Sequence, residues 1–204
     1  LSFAVCGVSA FAGLDMDHVN PIGQNLGTFE TFGVMQIMPD TPSSSGTVVD
    51  DFISSGTILS SLDIAFELSS ANVNTDLIQG WRVSVWSSVA NAANSTENLN
   101  QNAVTTGLFA PVPLTILAGT LAHGPAKMVS LTNLNLGGLT VGTKYWIGAA
   151  PILEFAASGG QTFIMKNDTP AVLGGGTGND AWGINPLNGL GGGTSIPGAG
   201  NGAY

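Results

Sequence analysis

The fold is decided by residues 62–68, LDIAFEL, in which a large apolar side chain recurs at every second position. Alternate side chains of an extended strand point to opposite faces, so the segment predicts a half-buried β-strand. On this pattern Asp63 and Glu67 face water. The opposite face would line a core with Leu62, Ile64, Phe66 and Leu68.

A second alternating segment follows at residues 80–87, where Trp81, Val83 and Val85 share one face. Residues 87–101 favour a short helix or a long loop. The pattern of about eight to ten short strands predicts an all-β chain folded as an antiparallel β-sandwich, with a jelly roll as the related arrangement. Further strands are predicted at residues 31–38, 47–53, 104–109, 114–117, 127–134, 144–149, 161–166 and 181–185.

Composition divides the chain into three regions. Residues 1–27 form an apolar N-terminal extension that reads either as a signal-like segment or as a donor strand, and residues 28–171 carry the strands of the sandwich. Residues 172–204 hold twelve glycines and no Lys or Arg. We expect this Gly-rich tail to be ordered along a protein surface, because glycine allows close backbone approach.

The charge balance excludes several classes of partner. The chain has four Lys and Arg against thirteen Asp and Glu, a net charge of −9, and only 8% of its residues are charged. Nucleic-acid binding requires a basic surface, so no nucleic-acid partner is expected. No stretch is long and apolar enough to predict a membrane-spanning segment. Low charge with many Ser, Thr, Asn and Gly favours an extracellular protein, and Cys6, the single cysteine, allows no intramolecular disulfide.

Catalytic groups are sparse, and we expect no enzymatic activity. His18 and His123 are the only imidazoles, and the sequence holds no nucleophile elbow, phosphate-binding loop or zinc-protease motif. Calcium is the one conceivable cofactor, since carboxylate oxygens are its usual ligands. Two separate sets of candidate ligands occur, Asp15 with Asp17, and Asp180 with either Asp50 or Asp51.

The aromatic side chains permit a carbohydrate-binding hypothesis. Indole rings on strands with polar neighbours can stack on sugar rings, although they more often fill a core or a subunit contact. The candidate residues for such stacking are Trp86, Trp146 and Trp182.

Five short motifs resemble exported bacterial β-sandwich proteins of the PEP-CTERM and choice-of-anchor type. They are VVDDF at residues 48–52, GWRVSVW at residues 80–86, GTKYWIG at residues 142–148, GQTF at residues 160–163 and NDAW at residues 179–182. The resemblance implies an exported surface or matrix protein and carries no catalytic residues. The Pro-Glu-Pro motif, terminal apolar helix and basic end of that group do not occur in this sequence.

These observations predict a non-catalytic structural subunit of an extracellular filament, sheath or surface layer. An apolar terminal strand can add to the open sheet edge of a neighbouring copy, and a head-to-tail contact of this kind propagates into a polymer. The alternative is a secreted or anchored carbohydrate-binding module whose partner is an extracellular polysaccharide, and a third option is a calcium-dependent adhesin. The residues predicted to contact the neighbouring copy are Leu1, Phe3, Val5, Val8 and Phe11.

Overall fold

The computed structural model describes residues 29–120, 125–167, 182–184, 194–195 and 201–202. They form twelve strands and two short helices, α1 (Val89–Ala93) and α2 (Phe155–Ser158). None of the helices in these residues has the length and apolarity needed to span a membrane. The strands are β1 (Phe29–Val34), β2 (Thr47–Ile53), β3 (Ile58–Leu68), β4 (Gly80–Trp86), β5 (Thr105–Phe109), β6 (Thr115–Thr120), β7 (Pro125–Gly137), β8 (Lys144–Ile152), β9 (Thr162–Asn167), β10 (Trp182–Ile184), β11 (Thr194–Ser195) and β12 (Asn201–Gly202).

The strands form two antiparallel sheets. Sheet 1 has the order β1-β9-β3-β7-β6, with β12 pairing to β9, and sheet 2 has the order β11-β10-β2-β8-β4-β5. The pairs β1·β9, β2·β8, β3·β7 and β4·β5 nest inside one another along the chain and alternate between the two sheets. A long hairpin rolled up in this way is a jelly roll. The predicted all-β sandwich is therefore confirmed, including its jelly-roll form.

The core lies between the sheets and is built from the faces that the alternation predicts. Leu62, Ile64, Phe66 and Leu68 of β3 are all buried. Across the core, the rings of Phe66 and Trp81 meet edge to face with centroids 5.5 Å apart. Such aromatic contacts add to the free energy gained by burial. The register of β4 with β8 continues this core into sheet 2 through Val83, Val85, Ile147 and Ala149.

One polar position on β3 differs from the sequence prediction. Asp63 is exposed as expected, but Glu67 is fully buried. The surroundings of the two positions differ, since β9 pairs with β3 only over Phe66–Leu68, whereas β7 runs beside most of the strand. Glu67 therefore has a strand on each side, and Asp63 pairs with β7 alone among the described strands.

The outer face of sheet 2 is also buried near β4. The β4–β5 connection folds over this face, where the Ser84 hydroxyl donates to the Leu99 carbonyl at 2.6 Å and Trp86 Nε1 donates to the Gln101 carbonyl at 2.9 Å. Gly148 of β8 lies beneath the indole of Trp86, and a Cβ atom there would stand 3.2 Å from Trp86 Cζ3. Trp86 is therefore held between a covering loop and a strand without a side chain at that position.

Candidate functional site

The described residues suggest three places where function could reside: a buried ion pair on the outer face of sheet 2, a cleft at one end of the sandwich, and an open edge formed by β5 and β6. The ion pair joins Asp51 of β2 to Lys144 of β8. Lys144 Nζ lies 2.9 Å from Asp51 Oδ2, and the two groups form an ion pair without the alignment of a hydrogen bond. The same ammonium group lies 4.9 Å from the ring centroid of Trp146. Asp51 is buried, whereas the Lys144 side chain is 34% exposed.

The register explains why these groups meet. Asp51 lies directly opposite Trp146, which in turn lies opposite Trp86 of β4, so the three residues form one row across sheet 2. Asp51 Oδ1 and Trp146 Nε1 are buried and have no hydrogen-bond partner among the described residues. Lys144 therefore provides the compensating charge that a buried carboxylate requires.

The candidate carbohydrate residues are placed differently from one another. Trp86 has no exposed surface, so its indole serves packing in this structure. Trp146 is partly exposed, with the Lys144 ammonium over its ring. Trp182 pairs through its backbone with Val49, and nothing is described of its side chain. Stacking of a sugar on these residues stays a prediction.

The candidate calcium ligands are only partly within the described residues. Asp50 and Asp51 are both buried, but neighbouring positions of a strand lie on opposite faces, so the two carboxylates do not converge on one ion. Asp50 Oδ1 accepts the backbone N–H of Asp51 at 2.8 Å. Asp15, Asp17 and Asp180 lie outside the described residues. Within the described ranges, no group of three or more His, Cys, Asp or Glu side chains comes together.

A cleft of about 310 Å³ opens at one end of the sandwich, beside α2 and the 3₁₀ turn Thr75–Leu77. Two carboxylates, those of Asp76 and Glu154, belong to its lining, but no His, Lys or Cys does. The cleft therefore brings one carboxylate from the 3₁₀ turn and one from the residue before α2 to the same end of the sandwich.

Asp40 closes the same end of the molecule by binding the first turn of α2. Its carboxylate oxygens accept the backbone N–H groups of Phe155 and Ala156, each at 2.9 Å. These two hydrogen bonds, from Ala156 first and Phe155 second, lower the pKa of Asp40 below its ordinary value of 3.8. The contact joins the β1–β2 loop to the β8–β9 connection.

We predict that Asp40→Asn destabilises the protein at neutral pH and makes its stability less sensitive to acid. Because the folded-state pKa is lowered, the ionised carboxylate stabilises the fold above about pH 4, and this contribution disappears as the pH falls through the folded-state pKa. Urea unfolding at a series of pH values should therefore show the wild-type and variant curves converging below pH 3.8. Asp63→Asn, at an exposed strand position, is the control for loss of one charge. Curves that remain parallel down to pH 2 would contradict the assignment.

The open edge is formed by the last strand of each sheet. β5 pairs only with β4 among the described strands, and β6 pairs only with β7. Large apolar side chains are exposed there, with Val104 at 40%, Leu108 at 60% and Ile116 at 70%. No Asp, Glu, Lys or Arg occurs from Asn98 to Ala126, although the chain as a whole carries a net charge of −9. Strands β5 and β6 are therefore apolar and uncharged themselves, with Arg82 and Lys127 directly opposite Leu108 and Ile116 on the adjacent strands.

The predicted subunit-contact residues Leu1, Phe3, Val5, Val8 and Phe11 lie outside the described residues. Sequence reasoning did not identify the Asp51–Lys144 pair, because its partners are distant in the chain and only the sheet register brings them together. It also did not single out the β5–β6 edge. The sequence could have indicated this edge, because residues 98–126 contain no charged side chain although the chain as a whole is acidic.

Comparison with known protein families and with curated proteins identifies no match to this chain.

Proposed function

We propose that the protein is a non-catalytic structural subunit of an extracellular assembly, joined to its neighbours by strand addition. The observation that carries the proposal is that the outer strands β5 and β6 contain no charged side chain. Unpaired backbone groups of an edge strand are a template for another strand, and proteins that must stay monomeric usually place charged residues, especially Lys, or Pro on such strands. β5 contains none of these residues.

Electrostatics support the same role. Two copies that each carry a net charge of −9 repel one another unless they meet through uncharged surfaces. Strands β5 and β6 provide one surface whose own side chains are uncharged, and on this proposal the first fourteen residues, which contain no charged side chain, would provide the second. A contact between these two surfaces would bury apolar area without opposing like charges.

The carbohydrate-binding alternative receives less support from the geometry. Of the three candidate tryptophans, Trp86 is buried, and the ring of Trp146 already carries the ammonium group of Lys144 at 4.9 Å. A sugar would have to displace that ammonium group to stack on the same face. The resemblance to exported β-sandwich proteins is compatible with either function.

We predict that Phe3→Lys in the full chain abolishes polymer formation and leaves a folded monomer. In an extended donor strand, Phe3 shares the apolar face with Leu1 and Val5, so a charge there would have to be buried in the neighbouring subunit. Ser2→Lys, on the opposite face, is the matched control and should still polymerise. Sedimentation velocity and negative-stain electron microscopy of the three proteins give the comparison.

The outcomes separate the two functions. Wild-type protein that stays monomeric at high concentration while binding an extracellular polysaccharide would replace the structural role with the carbohydrate-binding one. Removal of residues 1–13 should abolish polymerisation, whereas it should leave polysaccharide binding unchanged. Polymers that persist in both Phe3→Lys and the shortened chain would contradict the donor-strand role of the N-terminal segment.

A further inference from the structure

We propose that β5 is the acceptor strand, and that residues 1–8 of a second copy add to it as a further strand of sheet 2. The inference rests on the proposed function and specifies its contact. Of the two outer strands on this side, β5 has the more regular backbone. Its register with β4 runs without a break from Trp81↔Phe109 to Val85↔Thr105, whereas β6 shifts register between Ile116 and Thr120. A regular edge is the better template, because the backbone N–H and C=O groups of an added strand must pair one after another with those of the edge strand.

The side chains around β5 suit an apolar donor. On the outer face of sheet 2, Val104 and Leu108 are substantially exposed. Towards the core, Phe109, Val112 and Leu114 are only partly buried and pack against its margin. A strand added here would cover both groups, with Leu1, Phe3 and Val5 on the core side. Burial of apolar area at this margin is the driving force for the contact.

The positions of the two edges determine how the copies connect. The described chain enters the sandwich through β1, which is the outermost strand of sheet 1 on the side opposite β6 and packs near β2 of sheet 2. β5 lies on the other side, where it packs against β7. A contact between the donor of one copy and β5 of the next joins two different surfaces and is therefore heterologous. Such contacts extend into an open polymer unless the rotation between copies closes a ring.

Cys6 allows a direct test, because it is the only cysteine and lies within the proposed donor. With Leu1, Phe3 and Val5 facing the core, Cys6 shares the outer face with Val104, Thr106 and Leu108. We would introduce Val104→Cys, Thr106→Cys and Leu108→Cys one at a time and oxidise the polymers. A disulfide between Cys6 and the introduced cysteine of another copy is expected for at least one position, since directly opposite residues lie within bonding range.

Non-reducing gels with mass spectrometry of the linked peptides would identify the bond. Thr132→Cys, at an exposed position of β7 in sheet 1, is the control and should give no link to Cys6. In a Cys6→Ser background, the same β5 variants should give no dimer. A disulfide between two β5 cysteines in that background would show edge-to-edge pairing of β5 with β5, and would overturn the assignment of the donor.

A charge introduced at the edge provides a second test. Leu108→Lys should raise the critical concentration for polymerisation by at least about tenfold, because strand addition would place the ammonium group against the added strand. Val141→Lys is the matched control, since Val141 is equally exposed, at 61% compared with 60%, but lies in the β7–β8 loop. Circular dichroism would verify that both variants keep the fold.

The results distinguish this inference from the proposed function. If Phe3→Lys abolishes polymers while Leu108→Lys polymerises as the wild type does and Cys6 links to none of the β5 cysteines, then the acceptor is not β5 and the structural role stands. If the wild-type protein forms no polymer, both proposals fail together.

Discussion

Trp81→Ala is expected to lower the free energy of unfolding by about 3–5 kcal/mol, the range observed when a buried tryptophan or phenylalanine is truncated. Trp81 is fully buried on the inner face of β4 and meets Phe66 of the opposite sheet edge to face. Truncation removes the largest side chain that bridges the two sheets near this point. The close packing around it leaves little room for collapse of the resulting cavity. Urea unfolding followed by far-ultraviolet circular dichroism gives the measurement.

Trp81→Phe is the informative control for this experiment. It retains an aromatic ring against Phe66, and it removes the indole N–H, which is buried without a hydrogen-bond partner among the described residues. Loss of an unsatisfied polar group offsets part of the lost packing, so the cost should be well below that of Trp81→Ala. Equal losses for the two variants would show that ring packing across the core contributes little.

Lys144→Met is expected to lower the free energy of unfolding by about 2–3 kcal/mol. This loss is smaller than the loss expected when a fully buried ion pair is broken, because part of the Lys144 side chain reaches solvent. The substitution keeps most of the aliphatic side chain but removes the ammonium group 2.9 Å from Asp51 Oδ2. The Asp51 carboxylate then remains buried without a compensating charge among the described residues. The contact of the ammonium group with the Trp146 ring is lost at the same time.

The double variant Asp51→Asn with Lys144→Met separates ion pairing from packing. It removes both charges, so it should recover part of the stability lost in Lys144→Met alone. A double-mutant cycle measured by urea unfolding gives the coupling energy between the two side chains. Additive losses, with no recovery, would mean that Lys144 does not stabilise the fold through Asp51.

The strands could be located in the sequence with good accuracy. The predicted range 47–53 coincides with β2, and residues 80–87 and 104–109 differ from β4 and β5 by one residue at one end. The period of two is a local property of the chain, so it survives without knowledge of tertiary contacts. The ends of β3 and β7 were missed, since both strands extend well beyond the alternating segments from which they were predicted.

What lies against each face could not be read from the same pattern. Alternation assigned Ser84 and Trp86 to the outer face of β4, yet both are buried because the β4–β5 connection covers them. Glu67 was expected to face water and is buried, at a point where β3 is flanked by both β7 and β9. Periodicity states which residues share a face, but the covering segments come from distant parts of the chain.

The sequence by itself determined the all-β class and the positions of most strands. It also determined that the chain is acidic and poor in lysine, and that one long segment of it is uncharged. Each of these depends on composition or on neighbours in the chain. Only the tertiary structure decided that β5 is an outer strand, that β1 lies on the opposite side of the sandwich, and that Lys144 compensates Asp51. The reason is that strand order and register arise from pairing between remote segments, and the free energy of that pairing depends on contacts across both sheets rather than on any one stretch of residues.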